Sequence, residues 1–210
     1  MLNIICPEEI EKRSFEIIEE ETKKIKGSIP FSNEKWQIVR RIIHTTADFD
    51  VLDNIVFHPD AIEMGKKAIK NGCVIVTDTN MAKAGISKAR LKRFNVEVEC
   101  FVSDEDVAKE ARIRNCTRSM VAIEKAAKVG KDIIFGIGNA PTAIFHLIDL
   151  MGKGEVKPAL ILGMVVGFVG AAKSKEELIS RSIAPYIVLK GRKGGSPIVA
   201  ATINALLDLC

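Results

Sequence analysis

Short apolar runs alternate with helical segments over the last two thirds of the chain, and this alternation constrains the fold more than any other feature. Each run has four to seven residues, and several are apolar at nearly every position. Strands that alternate with helices form βαβ units around a parallel sheet, and fully apolar strands indicate a sheet covered on both faces. The predicted strands are Cys73–Thr77, Val96–Val102, Asp132–Gly136, Ala159–Met164 and Tyr186–Leu189.

The segments between these runs, and the first seventy residues, have the spacing and end signals of amphipathic helices. Near the N-terminus we predict Glu8–Lys26 with a stop at Gly27, Asn33–Thr45 capped by Ser32, and a helix from Pro59 to before Gly72. The later predicted helices are Met81–Gly85, Glu105–Val129 with a break near Asn115, Pro141–Met151, Ser174–Ser182 and Pro197–Leu209. We therefore expect a single α/β domain over residues 1–210, a three-layer α/β/α fold with a mostly parallel five-stranded sheet and N-terminal helices.

Composition excludes several classes of protein. The chain is 47% hydrophobic and 28% charged with a net charge of +4, which is globular and not disordered. Aromatic residues are only 5% and no long basic block occurs, so no nucleic-acid partner is expected. The longest apolar run, Ala159–Ala172, is shorter than the ~18 residues of a membrane span. Five cysteines without a CxxC spacing indicate neither a disulfide framework nor a zinc site, and they favour a cytoplasmic protein.

Four turns rich in glycine and small polar residues follow the predicted strands. Because the carboxyl ends of parallel strands meet at one edge of a sheet, we expect the turns to form one surface, here called the glycine floor. Glycine lets a backbone approach a ligand, and N–H groups at helix starts attract anions. One such turn alone would indicate only a tight bend, and none is a nucleotide fingerprint. The turns are Thr77–Asn80, Gly136–Thr142, Gly163–Gly170 and Gly191–Ser196.

Among the three histidines, His44 is the strongest candidate for proton transfer. It lies near the end of a predicted helix, three residues after Arg41 and on the same face. A helix C-terminus favours the imidazolium and a nearby arginine opposes it, which allows titration near neutrality. A structural histidine fits the residues equally well. His58 is interpreted as a turn or cap residue and His146 as structural or surface, while Arg118 suits a carboxylate or a surface ion pair.

Six segments, in this order, resemble the precorrin-8X methylmutase (cobalt-precorrin-8 methylmutase) family of corrin biosynthesis. The resemblance covers nearly the whole chain, and the combination of the last three segments is highly specific. In the third segment this chain has Cys116 between the asparagine and the threonine of the family's Asn-Thr-Arg-Ser pattern. The segments are Arg13–Ile18, Arg41–His44, Asn115–Ser119, Gly138–Ala143, Gly163–Ala172 and Gly191–Ser196.

The resemblance implies an isomerase that moves a methyl group from C-11 to C-12 of a ring-contracted tetrapyrrole. The substrate would be precorrin-8X or cobalt-precorrin-8, and the product hydrogenobyrinic or cobyrinic acid. A flavodoxin-like fold, a homodimer and the absence of a cofactor or bound metal are also implied. His44 takes the role of proton donor or acceptor in this comparison. The expected substrate contacts are Ser14, Arg41, Arg118, Asn139 and Thr142.

Two other functions remain open at the level of the residues. A tetrapyrrole carrier would bind the same ligand without converting it. A flavodoxin-like nucleotide-binding module would use the same glycine floor, although the chain has neither a GxGxxG nor a GxxxxGK[ST] motif.

Overall fold

The computed structural model describes residues 6–210, which form a six-stranded sheet covered by helices on both faces. The strands are β1 (Ile55–Phe57), β2 (Val74–Thr77), β3 (Glu97–Glu99), β4 (Ile133–Ile137), β5 (Leu160–Gly163) and β6 (Tyr186–Leu189). Their order across the sheet is β1-β6-β5-β4-β2-β3. Every neighbouring pair is parallel except β1 and β6.

The predicted three-layer α/β/α, flavodoxin-like architecture is confirmed. Counted along the chain without β1, the five parallel strands have the order 2-1-3-4-5 of flavodoxin. The prediction of five strands is wrong, because β1 adds a sixth, antiparallel strand at one edge. The reversal of strand order that marks the usual ligand crevice of this fold lies between β2 and β4.

The helices follow the predicted pattern with small shifts at their ends. They are α1 (Pro7–Lys26), α2 (Asn33–Thr46), α3 (Val51–Asn54), α4 (Ala61–Lys70), α5 (Asn80–Gly85), α6 (Lys88–Lys92), α7 (Glu105–Ile113), α8 (Arg118–Ala127), α9 (Pro141–Gly152), α10 (Ala171–Arg181) and α11 (Ser196–Asp208). The short helices α3 and α6 were not expected, and α4 begins at Ala61 instead of Pro59. The break predicted near Asn115 is confirmed, since Asn115 has a φ of 51° between α7 and α8.

Two apolar layers hold the sheet. Successive side chains of a strand point to opposite faces. In β4, Ile134 packs with the layer that includes α1, α2, α4 and α11, whereas Phe135 packs with α8, α9 and α10. Both side chains are fully buried. Within residues 6–210 no helix is long and apolar enough to span a bilayer.

An ion-pair cluster joins three helices of the second layer. The guanidinium of Arg114, just after α7, donates to both carboxylate oxygens of Glu124 on α8 at 2.5 and 2.8 Å. His146 on α9 places its Nε2 2.7 Å from Glu124 Oε1. Arg114 lowers the pKa of Glu124 from 4.5 to about 2. His146 is thus a structural residue, one of the two interpretations that the sequence favoured.

This cluster predicts an acid-dependent loss of stability. A carboxyl whose pKa is lower in the folded than in the unfolded protein stabilises the fold only while it is ionised. The contribution of Glu124 should therefore be complete above about pH 4.5 and decline as the pH falls toward about 2. We expect Glu124→Gln to remove this part of the pH dependence in urea unfolding curves. Glu176→Gln, at an exposed position of α10, is the control. If the free energies of unfolding of Glu124→Gln and of the unmodified protein decreased equally with falling pH over that range, the assignment would be contradicted.

Candidate active site

The four turns of the glycine floor lie together at the carboxyl ends of the strands, as predicted, because β2, β4, β5 and β6 run parallel. The hydroxyls of Thr79 and Ser196 are 2.6 Å apart and link the first turn to the last. Backbone bonds connect the other turns: Val166 N–H to Gly138 O at 3.1 Å, Gly167 N–H to Arg192 O at 3.0 Å, and Gly195 N–H to Met164 O at 2.7 Å. The floor is therefore one connected surface.

Close contact between turns explains why glycine is required at particular positions. A Cβ at Gly194 would lie 2.1 Å from Met164 O, and a Cβ at Gly138 would lie 2.9 Å from the backbone of Gly195. No side chain fits at such distances. These two glycines therefore serve the packing of the turns against each other, which is the structural role that the sequence left open.

Asp78 occupies the crevice at the point where the strand order reverses. Its carboxylate accepts hydrogen bonds from the N–H groups of Gly138, Asn139 and Ala140 at 2.9, 2.7 and 2.8 Å. The side chain is only 7% exposed. Burial raises the pKa of Asp78, and the three N–H groups oppose that increase.

The expectation that the N–H groups at the start of α9 attract a substrate anion is wrong for these three donors. The protein's own carboxylate already holds them. In flavodoxin-like proteins the same crevice binds a nucleotide, so this arrangement also argues against a nucleotide-binding module. Asp78 was not singled out in the sequence, although a carboxylate directly after a fully buried strand is the signal that could have identified it.

His44 lies in a groove between α1 and α2. The groove has a volume of about 400 Å³, and Ser14 also lines it, so the structure brings these two predicted residues together. The imidazole packs edge-on against Phe15, with 5.3 Å between ring centroids. His44 is exposed, and within residues 6–210 its ring nitrogens have no hydrogen-bond partner. Within residues 6–210 the imidazole is therefore held by its contact with Phe15 and not by a hydrogen bond.

Arg41 is close to His44 but does not line the groove. Its guanidinium carbon lies 4.8 Å from the centroid of Phe15, the ring that also packs against His44. The guanidinium forms an ion pair with Glu11, and its second nitrogen lies 3.7 Å from Asp208 Oδ2. A substrate carboxylate at Arg41 would therefore compete with two carboxylates of the protein.

The remaining predicted contacts lie together on the opposite layer of helices. Arg118 is the first residue of α8 and Thr142 the second of α9. These helix starts are joined by Thr117 Oγ1, which lies 3.0 Å from Thr142 Oγ1. Arg118 and Asn139 are exposed, and Thr142 is half-buried. None of the three lines the groove that contains His44.

Lys193 connects the end of α2 to the glycine floor. Its ammonium group lies 2.6 Å from Asp48 Oδ2 and 2.6 Å from Asp50 Oδ2. Asp48 follows the last residue of α2 by two positions, so the end of the helix that carries His44 lies beside the fourth turn of the floor. Within residues 6–210 no three His, Cys, Asp or Glu side chains are placed to bind a metal ion.

Comparison with known proteins identifies the family. The CbiC family model, described as precorrin-8X methylmutase, matches residues 9–209. A cobalt-precorrin-8 methylmutase of Priestia megaterium is 46% identical over 202 residues, 96% of this chain and 88% of that protein. The corresponding protein of Salmonella typhimurium is 43% identical over 203 residues, 96% and 94% of the two chains.

A solved structure gives the same result. The precorrin-8X methyl mutase of Thermus thermophilus is 38% identical, has a TM-score of 0.86, and the match covers 95% of this chain and 96% of that one. The family model, the relatives and the structural match all extend over nearly the full length. The chain therefore belongs to the precorrin-8X methylmutase family, a family of isomerases in corrin biosynthesis.

Proposed function

We propose that the protein acts on precorrin-8X or cobalt-precorrin-8 and moves a methyl group from C-11 to C-12 of the macrocycle. The relatives are named as methylmutases of these two compounds. The observation that carries the proposal is the exposed imidazole of His44, which faces a groove that Ser14 also lines. The helix that carries His44 ends beside the glycine floor, to which the ion pair of Lys193 with Asp48 connects it.

In this proposal His44 is the proton donor or acceptor. Protonation of the conjugated macrocycle redistributes its electrons and favours migration of the methyl group, and return of the proton to the imidazole leaves the product. The methyl group stays on the same molecule, so no electron or chemical group enters or leaves. General acid or base catalysis by one side chain contributes about 10²–10⁴-fold. Holding the ring in its reactive conformation would supply further acceleration.

The periphery of the macrocycle carries carboxylates, and the second group of predicted residues suits them. Arg118 combines a planar guanidinium with the start of a helix, and both features favour an anion. Thr142 contacts Thr117, the residue before Arg118, and together with Asn139 it offers a neutral donor. Arg41 and Ser14 would contact the ring on the side of His44.

An absorption spectrum distinguishes this function from that of a tetrapyrrole carrier. Methyl migration changes the conjugation of the ring and therefore its colour. We expect the purified protein to convert added cobalt-precorrin-8 with a progressive spectral change. Each protein molecule should convert more than one molecule of substrate. Binding without such a change, even at equimolar protein, would contradict the enzymatic proposal and favour the carrier.

A homodimer forms part of the proposal as well. The apolar side chains of Val166, Phe168 and Val169 project from the third turn of the glycine floor and are exposed in the single chain. Exposed apolar clusters are typical of interaction surfaces. Size-exclusion chromatography with light scattering should give twice the mass of one chain, and the mass of a single chain would contradict the dimer.

A further inference from the structure

Lys175 is a buried lysine beneath the glycine floor that no step of the proposed reaction uses. It lies on α10, and its side chain is fully buried. The ammonium group donates to Val165 O at 2.8 Å and to Lys193 O at 3.0 Å. Val165 belongs to the third turn of the floor and Lys193 to the fourth. One side chain thus holds two substrate-facing turns together from below.

No opposite charge compensates Lys175 within the described part of the chain. Neighbouring charged groups are engaged elsewhere: Glu177 bonds to Arg181, and the Lys193 ammonium bonds to Asp48 and Asp50. Glu176, the next residue, is exposed and makes no ion pair within residues 6–210. Burial alone lowers the pKa of Lys175 to about 8. An ammonium group buried without a counter-charge carries a desolvation cost that its two hydrogen bonds to carbonyl groups offset only in part.

We propose that Lys175 is a positioning residue for the substrate. It fixes the third and fourth turns of the glycine floor, and its positive charge beneath them is compensated by a carboxylate of the bound tetrapyrrole. This inference rests on the proposed function, because it takes the glycine floor as the substrate surface. A charge in a poorly solvated interior interacts more strongly with a nearby anion than a surface charge does. The bound carboxylate would then relieve the unfavourable burial of the ammonium group.

Replacement of the charge by an apolar side chain of similar length tests the proposal. Lys175→Met should raise KM for cobalt-precorrin-8 about tenfold and change kcat by less than about threefold, since binding and not chemistry is lost. Lys173→Met, at an exposed position two residues earlier on α10, is the matched control and should retain the original values. Thermal unfolding of both variants shows whether they fold.

The pH profile separates a charge effect from a packing effect. The ratio of kcat/KM between the unmodified protein and Lys175→Met should be largest at about pH 6.5 and decrease toward about pH 9.5, because the amine loses its charge over this range. The part of the ratio that comes from its hydrogen bonds to Val165 and Lys193 should remain, since a neutral amine still donates them. A ratio near one at every pH, or a loss that is the same at every pH, would overturn the proposal. If the unmodified protein and Lys173→Met do not convert the substrate, the proposed function has failed instead.

A second measurement needs no variant and decides the question if Lys175→Met does not fold. Lysine labelled with ¹⁵N at Nζ allows the amine that titrates near pH 8 to be followed by NMR in the unmodified protein. We expect its titration midpoint to move upward by about one pH unit when the tetrapyrrole is bound, because a nearby carboxylate favours the charged form. An unchanged midpoint in the complex would overturn the proposal.

Discussion

A His44→Ala variant is expected to convert cobalt-precorrin-8 about 10²–10⁴-fold more slowly than the unmodified protein, because that is the usual contribution of one general acid or base. The side chain is exposed and, within residues 6–210, forms no hydrogen bond, so its loss should leave the fold intact. Initial rates of the spectral change at saturating substrate measure the effect. Equilibrium binding of the tetrapyrrole should be largely retained.

His58→Ala is the matched control for this prediction. His58 follows β1, the strand that runs antiparallel to β6. It therefore lies near the amino ends of the parallel strands, whereas the glycine floor lies at their carboxyl ends. Its Nδ1 accepts a hydrogen bond from the N–H of Asp60 and plays a local structural role. Conversion by His44→Ala within about threefold of the rate of His58→Ala would exclude His44 as the acid or base.

Asp78→Asn should be strongly destabilising. The amide has one acceptor oxygen where the carboxylate has two, so it cannot accept from all of Gly138, Asn139 and Ala140 in the same geometry, and its NH₂ group would face donors. Loss of charge-assisted bonds to buried donors costs on the order of 3 kcal/mol. For a chain of this length that corresponds to a decrease in Tm of about 6–12 °C.

Thermal unfolding at about pH 7 measures this effect, with Asp149→Asn as control. Asp149 is an exposed residue of α9 and forms no ion pair within the described residues. We also expect Asp78→Asn to weaken tetrapyrrole binding, since the turn that carries Asn139 and Thr142 loses its anchor. A Tm within about 1 °C of the control would show that Asp78 does not hold this turn.

Four of the five parallel strands, β2, β4, β5 and β6, could be predicted because they are buried on both faces. The fifth, β3, is exposed or half-buried and is shorter than the predicted strand Val96–Val102. Runs such as Val74–Thr77 and Ile133–Ile137 are apolar or small throughout, and each is followed by a helix. The three-residue strand β1 could not be recognised, because two of its residues are only half-buried and its pairing with β6 joins positions 130 to 134 residues apart. Helices α3 and α6 have four and five residues, too few for a periodic pattern.

The sequence indicated candidate site residues but not the environment in which they lie. The resemblance led to His44 and Ser14, and these two residues line one groove. The ion pairs of Arg41 with Glu11 and Asp208 depend on the packing of three helices distant in sequence. Lys175 and Asp78 were missed for a similar reason. Their importance comes from burial and from backbone partners in other turns, which no local spacing encodes.

The most direct test of the central claim follows the methyl group itself. Cobalt-precorrin-8 labelled with ¹³C in the methyl group at C-11 is incubated with the purified protein, and the product is examined by ¹³C NMR. We predict that the labelled methyl group is found on C-12, with a different chemical shift and at a rate that His44→Ala lowers by about 10²–10⁴-fold. Recovery of the label on C-11 after prolonged incubation with tightly binding, folded protein would contradict the claim that this chain catalyses the methyl shift.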